Sequence, residues 1–180
     1  MDTTRHPADG GRDTRVARMI RVDQAGEYGA ARIYAGQLAV LGARAGTAPI
    51  RHMAEQEKRH LDDFDRLMVA RRVRPTALAP VWHVAGFALG AATALMGHRA
   101  AMACTEAVEE VIIDHYARQE AALGEDDAAL RSLIATARED EQAHRDTALS
   151  EGAAGAPCHE PLTTAIKAGT RLAIWLSERI

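Results

Sequence analysis

Glu55-Gln56-Glu57-Lys58-Arg59-His60 returns 84 residues later as Glu139-Asp140-Glu141-Gln142-Ala143-His144. Both stretches read Glu-x-Glu-x-x-His, and an Asp stands two residues beyond each His (Asp62 and Asp146). Residues three apart on an α-helix share a face. Glu57 with His60, and Glu141 with His144, therefore each aim a carboxylate and an imidazole the same way. One Glu-x-x-His is common on solvated helix faces and carries little. Two copies, each with a further Glu on a preceding helix, make the ligand set of a carboxylate-bridged dimetal site in a four-helix bundle.

The two further glutamates lie upstream. When Glu27 is set against Glu109, Tyr34 meets Tyr116, Ala35 meets Ala117 and Gln37 meets Gln119. The spacing to the later Glu is then 30 residues in the first half and 32 in the second. The chain reads as a duplicated helix pair in which each half supplies Glu and then Glu-x-x-His. Tyr34 and Tyr116 each follow a candidate ligand by seven residues, which returns them near its face. Each is either a core tyrosine with a satisfied hydroxyl or a participant in the chemistry. His115 is a third such candidate, beside the ligands or in contact with substrate, with a solvent-facing histidine as the other reading.

Four glutamates turned into one core cost several kcal/mol each unless they are compensated. Two divalent cations would balance their charge, with both histidines neutral. A mixed set of carboxylate and imidazole suits iron or manganese, where a cysteine-rich set would favour zinc. Carboxylates can also bridge two metals and change binding mode, which suits dioxygen uptake at a diiron pair.

These side chains need long helices to place them, and composition agrees. The chain has 180 residues, enough for one domain, and only 4% of them are aromatic, which favours helices over sheets. Residues 14–180 read as a single helical domain and 1–13 as a disordered start, without the apolar run of a secretory signal. A net charge of −3 argues against nucleic acid as a partner. Cys104 and Cys158 are far apart and form no Cys-x-x-Cys, as expected of a reducing compartment.

Helical periodicity predicts a first helix from near Thr14 to Leu41 and a second from about Pro49 to Arg71. A third, carrying Glu109, ends near Gly124, and a fourth carries Glu141 and His144. Gly26 and Gly29 flank Glu27, either for close packing or to leave room beside it. Between the two pairs, Val81 to Gly97 holds no Asp, Glu, Lys or Arg. That run is open to three readings: a membrane span, an ordinary buried helix, or a helix lying in a membrane surface. After a loop at Glu151 to Pro161, Leu162 to Ile180 forms a last helix, which either closes the bundle or anchors it to lipid.

Asp23-Gln24-Ala25-Gly26-Glu27-Tyr28-Gly29-Ala30 and Arg32-Ile33-Tyr34-Ala35-Gly36-Gln37 resemble the demethoxyubiquinone hydroxylase family of ubiquinone biosynthesis. Ala107-Val108-Glu109-Glu110, His115-Tyr116 and the ending Leu176-Ser177-Glu178-Arg179 carry the same resemblance, which runs from about Arg18 to Ile180. It implies an all-α, ferritin-like four-helix bundle with an added apolar helical segment and a C-terminal helix. It implies Glu27, Glu57, His60, Glu109, Glu141 and His144 as ligands of two iron ions, with Glu57 and Glu141 bridging. The implied activity is an O₂-dependent diiron monooxygenase acting on a polyprenyl benzoquinol, with an external reductant, NADH among the candidates. The expected setting is the lipid surface at the cytoplasmic face of a bacterial cell membrane, with an accessory ubiquinone-biosynthesis protein and a second copy of the chain as candidate partners. The competing reading from the same ligands is a ferritin-like or rubrerythrin-like protein that stores iron or scavenges peroxide.

Overall fold

The computed structural model describes residues 7–42, 46–125 and 127–180, with side chains from Thr14 onward. Six helices follow one another: α1 (Pro7–Leu41), α2 (Ala48–Arg71), α3 (Ala79–Leu95), α4 (His98–Leu123), α5 (Ala128–Ser150) and α6 (His159–Ser177). A short 3₁₀ turn, Ala153–Gly155, precedes the last. Helix α1 starts at Pro7, with proline in the first turn where its missing N–H costs nothing. Residues 7–13, read from sequence as disordered, are therefore helical; the rest of that expectation, 1–6, lies outside the described residues. Helix α6 likewise begins three residues before Leu162.

The repeated motif sits on two helices built alike. On α2 the buried stripe is Ile50, Met53, Glu57, His60, Phe64 and Met68; on α5 it is Leu130, Ile134, Ala137, Glu141, His144 and Ala148. Spacings of three and four keep each set on one face. Asp127 caps α5 by accepting from the Leu130 N–H at 3.2 Å, and Arg71 at the end of α2 pairs with the same carboxylate at 2.9 Å. This ties the end of one motif helix to the start of the other.

Helix α4 is the hub, packed by α3, α5 and α6. Ala100, Ala101, Ala103, Cys104 and Ala107 are fully buried, as a helix covered nearly all round requires. His159 with Glu106 and Lys167 with Glu110 hold α6 onto α4.

Helix α3 lies against α1 with almost no gap. A Cβ added at Gly90 would stand 1.9 Å from the Ile33 carbonyl oxygen, and one at Gly36 would stand 2.2 Å from the Phe87 carbonyl oxygen. Backbone, not side chain, is in the way, so no rotamer can relieve it. Gly90→Ala is expected to cost about 3 kcal/mol, the upper end for overpacking, against the roughly 1 kcal/mol that alanine gains in a helix. A lower Tm in a thermal melt checks this. Gly26 and Gly29 are different: a Cβ on Gly26 would make only ordinary contact, and one on Gly29 would meet open space.

Among the described residues no helix is long and apolar enough to cross a membrane. The spanning reading of 81–97 is thereby set aside, because α3 ends at Leu95 after 17 residues, short of the ~20 needed. The helix is two-faced instead. Gly90, Thr93 and Ala94 are buried, while Val81, Val84 and Leu95 are at least half exposed. Helix α6 has the same division, with Thr163 and Ile166 inward and Leu172 and Trp175 outward.

Candidate metal centre

All six predicted ligands converge in the middle of the α1, α2, α4 and α5 bundle, and all are buried. They form two overlapping groups. Glu27, Glu57, His60 and Glu141 offer one ligand atom each within 4.8 Å of one another; so do Glu57, Glu109, Glu141 and His144. Glu57 and Glu141 belong to both groups, while Glu27 with His60, and Glu109 with His144, belong to one each. That is the connectivity of two adjacent cation positions sharing two carboxylates.

Distances support the arrangement. His60 Nδ1 lies 3.4 Å from both Glu27 Oε2 and Glu141 Oε1. His144 Nδ1 lies 2.9 Å from Glu141 Oε2 and 3.1 Å from Glu57 Oε1. Yet Glu27 Oε2, both Glu57 oxygens and His60 Nδ1 are buried without any hydrogen bond. Buried polar atoms are ordinarily satisfied, and leaving one without a partner costs about 1–3 kcal/mol. Several such orphans facing one point are what a cation-binding set looks like before its ion is considered. The donor types fit iron or manganese.

Electrostatics say the same. Burial, then the charges of Glu141 and Glu27, push Glu57 well above the ordinary carboxylate range. Burial, then Glu141 and Glu57, do the same to Glu109. Burial would also raise Glu141, but hydrogen bonds and charge from His144 and His60 hold it down at about 2. Burial alone would lower His60, yet Glu141 and Glu27 outweigh it and carry the imidazole up to about 12. His144 is raised by the same kind of contact.

The tyrosines bond crosswise. Tyr34 on α1 donates to Glu109 on α4 at 3.0 Å, and Tyr116 on α4 donates to Glu27 on α1. Each half thus steadies the outer glutamate of the other. Burial and the neighbouring carboxylates raise both phenols well above their usual value, so both remain donors. Both hydroxyls are satisfied, and in each case the acceptor is a candidate ligand.

His115 is buried, which corrects the solvent-facing reading, and it stands outside the ligand cluster. Gln119 Nε2 donates to Asp23 Oδ1 at 2.7 Å and to His115 Nε2 at 2.8 Å. Burial pushes Asp23 up to about 6. Sequence reasoning gave Asp23 and Gln119 no role, although both lie within segments matched between the halves or to the family. The one available signal was the pairing of Gln119 with Gln37, which is also buried and donates to Ala101 O at 3.0 Å.

An apolar cavity of about 370 Å³ lies among α1, α3, α4 and α6. It is lined by Gly26, Gly29 and Ala30 of α1, Val108 and Ile112 of α4, and by residues of α3 and α6. Those α1 and α4 residues flank Glu27 and Glu109. The volume falls within the roughly 300–1,000 Å³ of small-molecule sites. Gly26 and Gly29 line this cavity, and the Gly29 carbonyl also meets α3 closely at Gly86.

A bundle of this layout is a ferritin-like fold whose buried central carboxylates and imidazoles could hold metal. The sequence profile described as "Ubiquinone biosynthesis protein COQ7" matches residues 14–177. The chain belongs to that family. It is 55% identical over 177 residues to the 3-demethoxyubiquinol 3-hydroxylase of Rhodospirillum rubrum, covering 98% of this chain and 84% of the relative. It is 53% identical over 169 residues to the human mitochondrial NADPH-dependent 3-demethoxyubiquinone 3-hydroxylase, with 92% and 78% covered. To the yeast mitochondrial 5-demethoxyubiquinone hydroxylase it is 44% identical over 180 aligned positions, with 91% and 77% covered.

Proposed function

We propose that this chain is an O₂-dependent diiron monooxygenase that hydroxylates the ring of a polyprenyl methoxy-methyl-benzoquinol, demethoxyubiquinol, in ubiquinone biosynthesis. The observation that carries the reading is the sharing of Glu57 and Glu141 between two ligand groups beside an apolar cavity. Glu27, Glu57, His60, Glu109, Glu141 and His144 would hold two iron ions. When bound, the iron pair supplies dioxygen activation and two-electron chemistry that no side chain here can supply.

The protein's own contribution is placement. Tyr116 and Tyr34 fix the rotamers of Glu27 and Glu109. The cavity walls, Val108, Ile112, Ile33 and Leu89, exclude water and suit a quinol ring with the start of its tail. The Asp23–His115–Gln119 network lies one turn along α1 from Glu27 and is joined through the Gln119 amide. Reduced nicotinamide nucleotide is the electron donor we favour, as in the names of the human and mouse relatives. An iron-storage or peroxide-scavenging protein would have no use for the cavity, and the names of the relatives do not favour it.

Iron-loaded protein given demethoxyubiquinol, NADH or NADPH, and air is expected to convert the quinol to a product with one more ring hydroxyl, read by mass spectrometry. Iron oxidised and retained with the quinol untouched would favour storage instead.

The substrate tail belongs in a bilayer, and the two helices that line the outer side of the cavity also carry the exposed apolar side chains. Peripheral docking through α3 and α6, at the cytoplasmic face of a bacterial membrane, follows as part of the proposal. Burying each large apolar side chain contributes about 1.5–3 kcal/mol. Replacing Val84, Leu172 and Trp175 with Ser is expected to release the protein from lipid vesicles in a flotation assay while sparing its iron content. Unchanged flotation would remove this face from the docking surface.

A further inference from the structure

We propose that Asp140 and Gln56 make the two metal positions unequal, with Asp140 strengthening the one His60 serves. This rests on the dimetal reading above and concerns residues outside the ligand set. His60 turns Nδ1 toward Glu27 and Glu141, and its Nε2 is 2.9 Å from Asp140 Oδ2. His144 turns Nδ1 toward Glu57 and Glu141, and its Nε2 is 3.2 Å from Gln56 Oε1.

Each outer partner immediately precedes the ligand glutamate of its own helix and reaches across to the histidine of the other. Asp140 precedes Glu141 on α5 and meets His60 on α2; Gln56 precedes Glu57 on α2 and meets His144 on α5. With the repeat offset of 84 residues they are one position occurring twice, acid in one half and amide in the other.

The difference has a chemical consequence. An imidazole that gives its Nδ1 lone pair to a metal keeps its proton on Nε2 and donates it outward. A carboxylate accepts that proton in a charge-assisted bond, about twice as strong as a neutral one. It also makes the imidazole a more basic ligand. The Gln56 carbonyl offers only the neutral bond. The inner ligands mirror one another, with Glu57 and Glu141 shared and each outer glutamate held by a tyrosine. The duplication is therefore broken at the acceptor behind each histidine, and the Glu27–His60 position is the tighter one.

Calorimetric titration of the metal-free full chain with Co²⁺ tests this, with far-UV circular dichroism confirming that each variant is folded. The unsubstituted protein is expected to bind in two resolved steps. Asp140→Asn keeps the shape and neutralises the acceptor, so the tighter step weakens about 10–100-fold and the looser step stays. Gln56→Glu, the reverse change, strengthens the looser step. Glu139→Gln removes a neighbouring charge from an exposed side chain and should leave both steps alone. Equal weakening of both steps by Asp140→Asn, or the same effect from Glu139→Gln, would overturn the proposal in favour of bulk charge. So would two steps that Asp140→Asn leaves unchanged. If the unsubstituted protein takes up fewer than two ions, the dimetal reading itself fails, and this inference with it.

Discussion

Glu57→Ala and Glu141→Ala are each expected to reduce bound iron from about two ions per chain to well below one, because each carboxylate serves both positions. Glu27→Ala and Glu109→Ala, which touch one group each, should leave about one ion. The two shared residues part company in the metal-free protein. Glu57 is buried, its oxygens accept no hydrogen bond, and burial with the charges of Glu141 and Glu27 disfavours its ionised form, so its removal should raise the apo Tm. Glu141 is ion-paired with both histidines, so its removal leaves His60 with only Glu27 and Asp140 and His144 with only Glu57, and lowers the apo Tm, by up to about 3 kcal/mol in stability. Metal analysis with apo melting curves on the four variants checks both signs.

Opposite pH dependence of the apo and metal-loaded protein is the second large effect. Glu57 and Glu109 have folded values raised above the unperturbed 4.5, so the folded apo state holds their protons where the unfolded state has lost them. Their contribution to stability is greatest below 4.5 and declines as pH rises from there. His60 and His144 are raised above 6.5, so their stabilisation is complete below 6.5 and fades as pH climbs toward the folded values. Only Glu141, lowered to about 2, works the other way, and its contribution is lost only as pH falls below 4.5. The metal-free protein should therefore gain stability as pH falls from about 8 to about 5, with about 1.4 kcal/mol per pH unit for each extra proton held by the folded state. Metal binding requires the same ligands deprotonated and strengthens as pH rises. The loaded protein should accordingly lose stability over the range in which the apo protein gains it. Urea titrations of both forms across that range decide the matter; parallel slopes would mean the carboxylates are not clustered.

The convergence of the candidate ligands was legible because its signal is periodic. Glu-x-x-His obeys the 3.6-residue helix and occurs twice, so Glu57, His60, Glu141 and His144 could be placed on inward faces before any helix was packed. Glu27 and Glu109 followed from aligning the halves. Helix α2 and the end of α4 at Gly124 were legible for the same local reasons. What stayed hidden depends on the rotation of one helix against another. Nothing along the chain says that Asp140 meets His60, that Tyr34 bonds Glu109 across the bundle, or that His115 turns inward to Gln119. The α1–α3 seam, with Gly90 against Ile33 and Gly36 against Phe87, emerges only once the helices are set together. Helical periodicity placed the start of α1 near Thr14, where the apolar positions begin, whereas the helix runs from Pro7.

Isotope-labelled oxygen tests the central claim most directly. Iron-loaded protein, prepared without air and mixed with demethoxyubiquinol, reductant and ¹⁸O₂ in ordinary water, should yield a quinol carrying one ¹⁸O atom on its ring. Glu141→Ala should yield none. An unlabelled hydroxyl, drawn from water, or full labelled turnover by the Glu141 variant, would contradict the account.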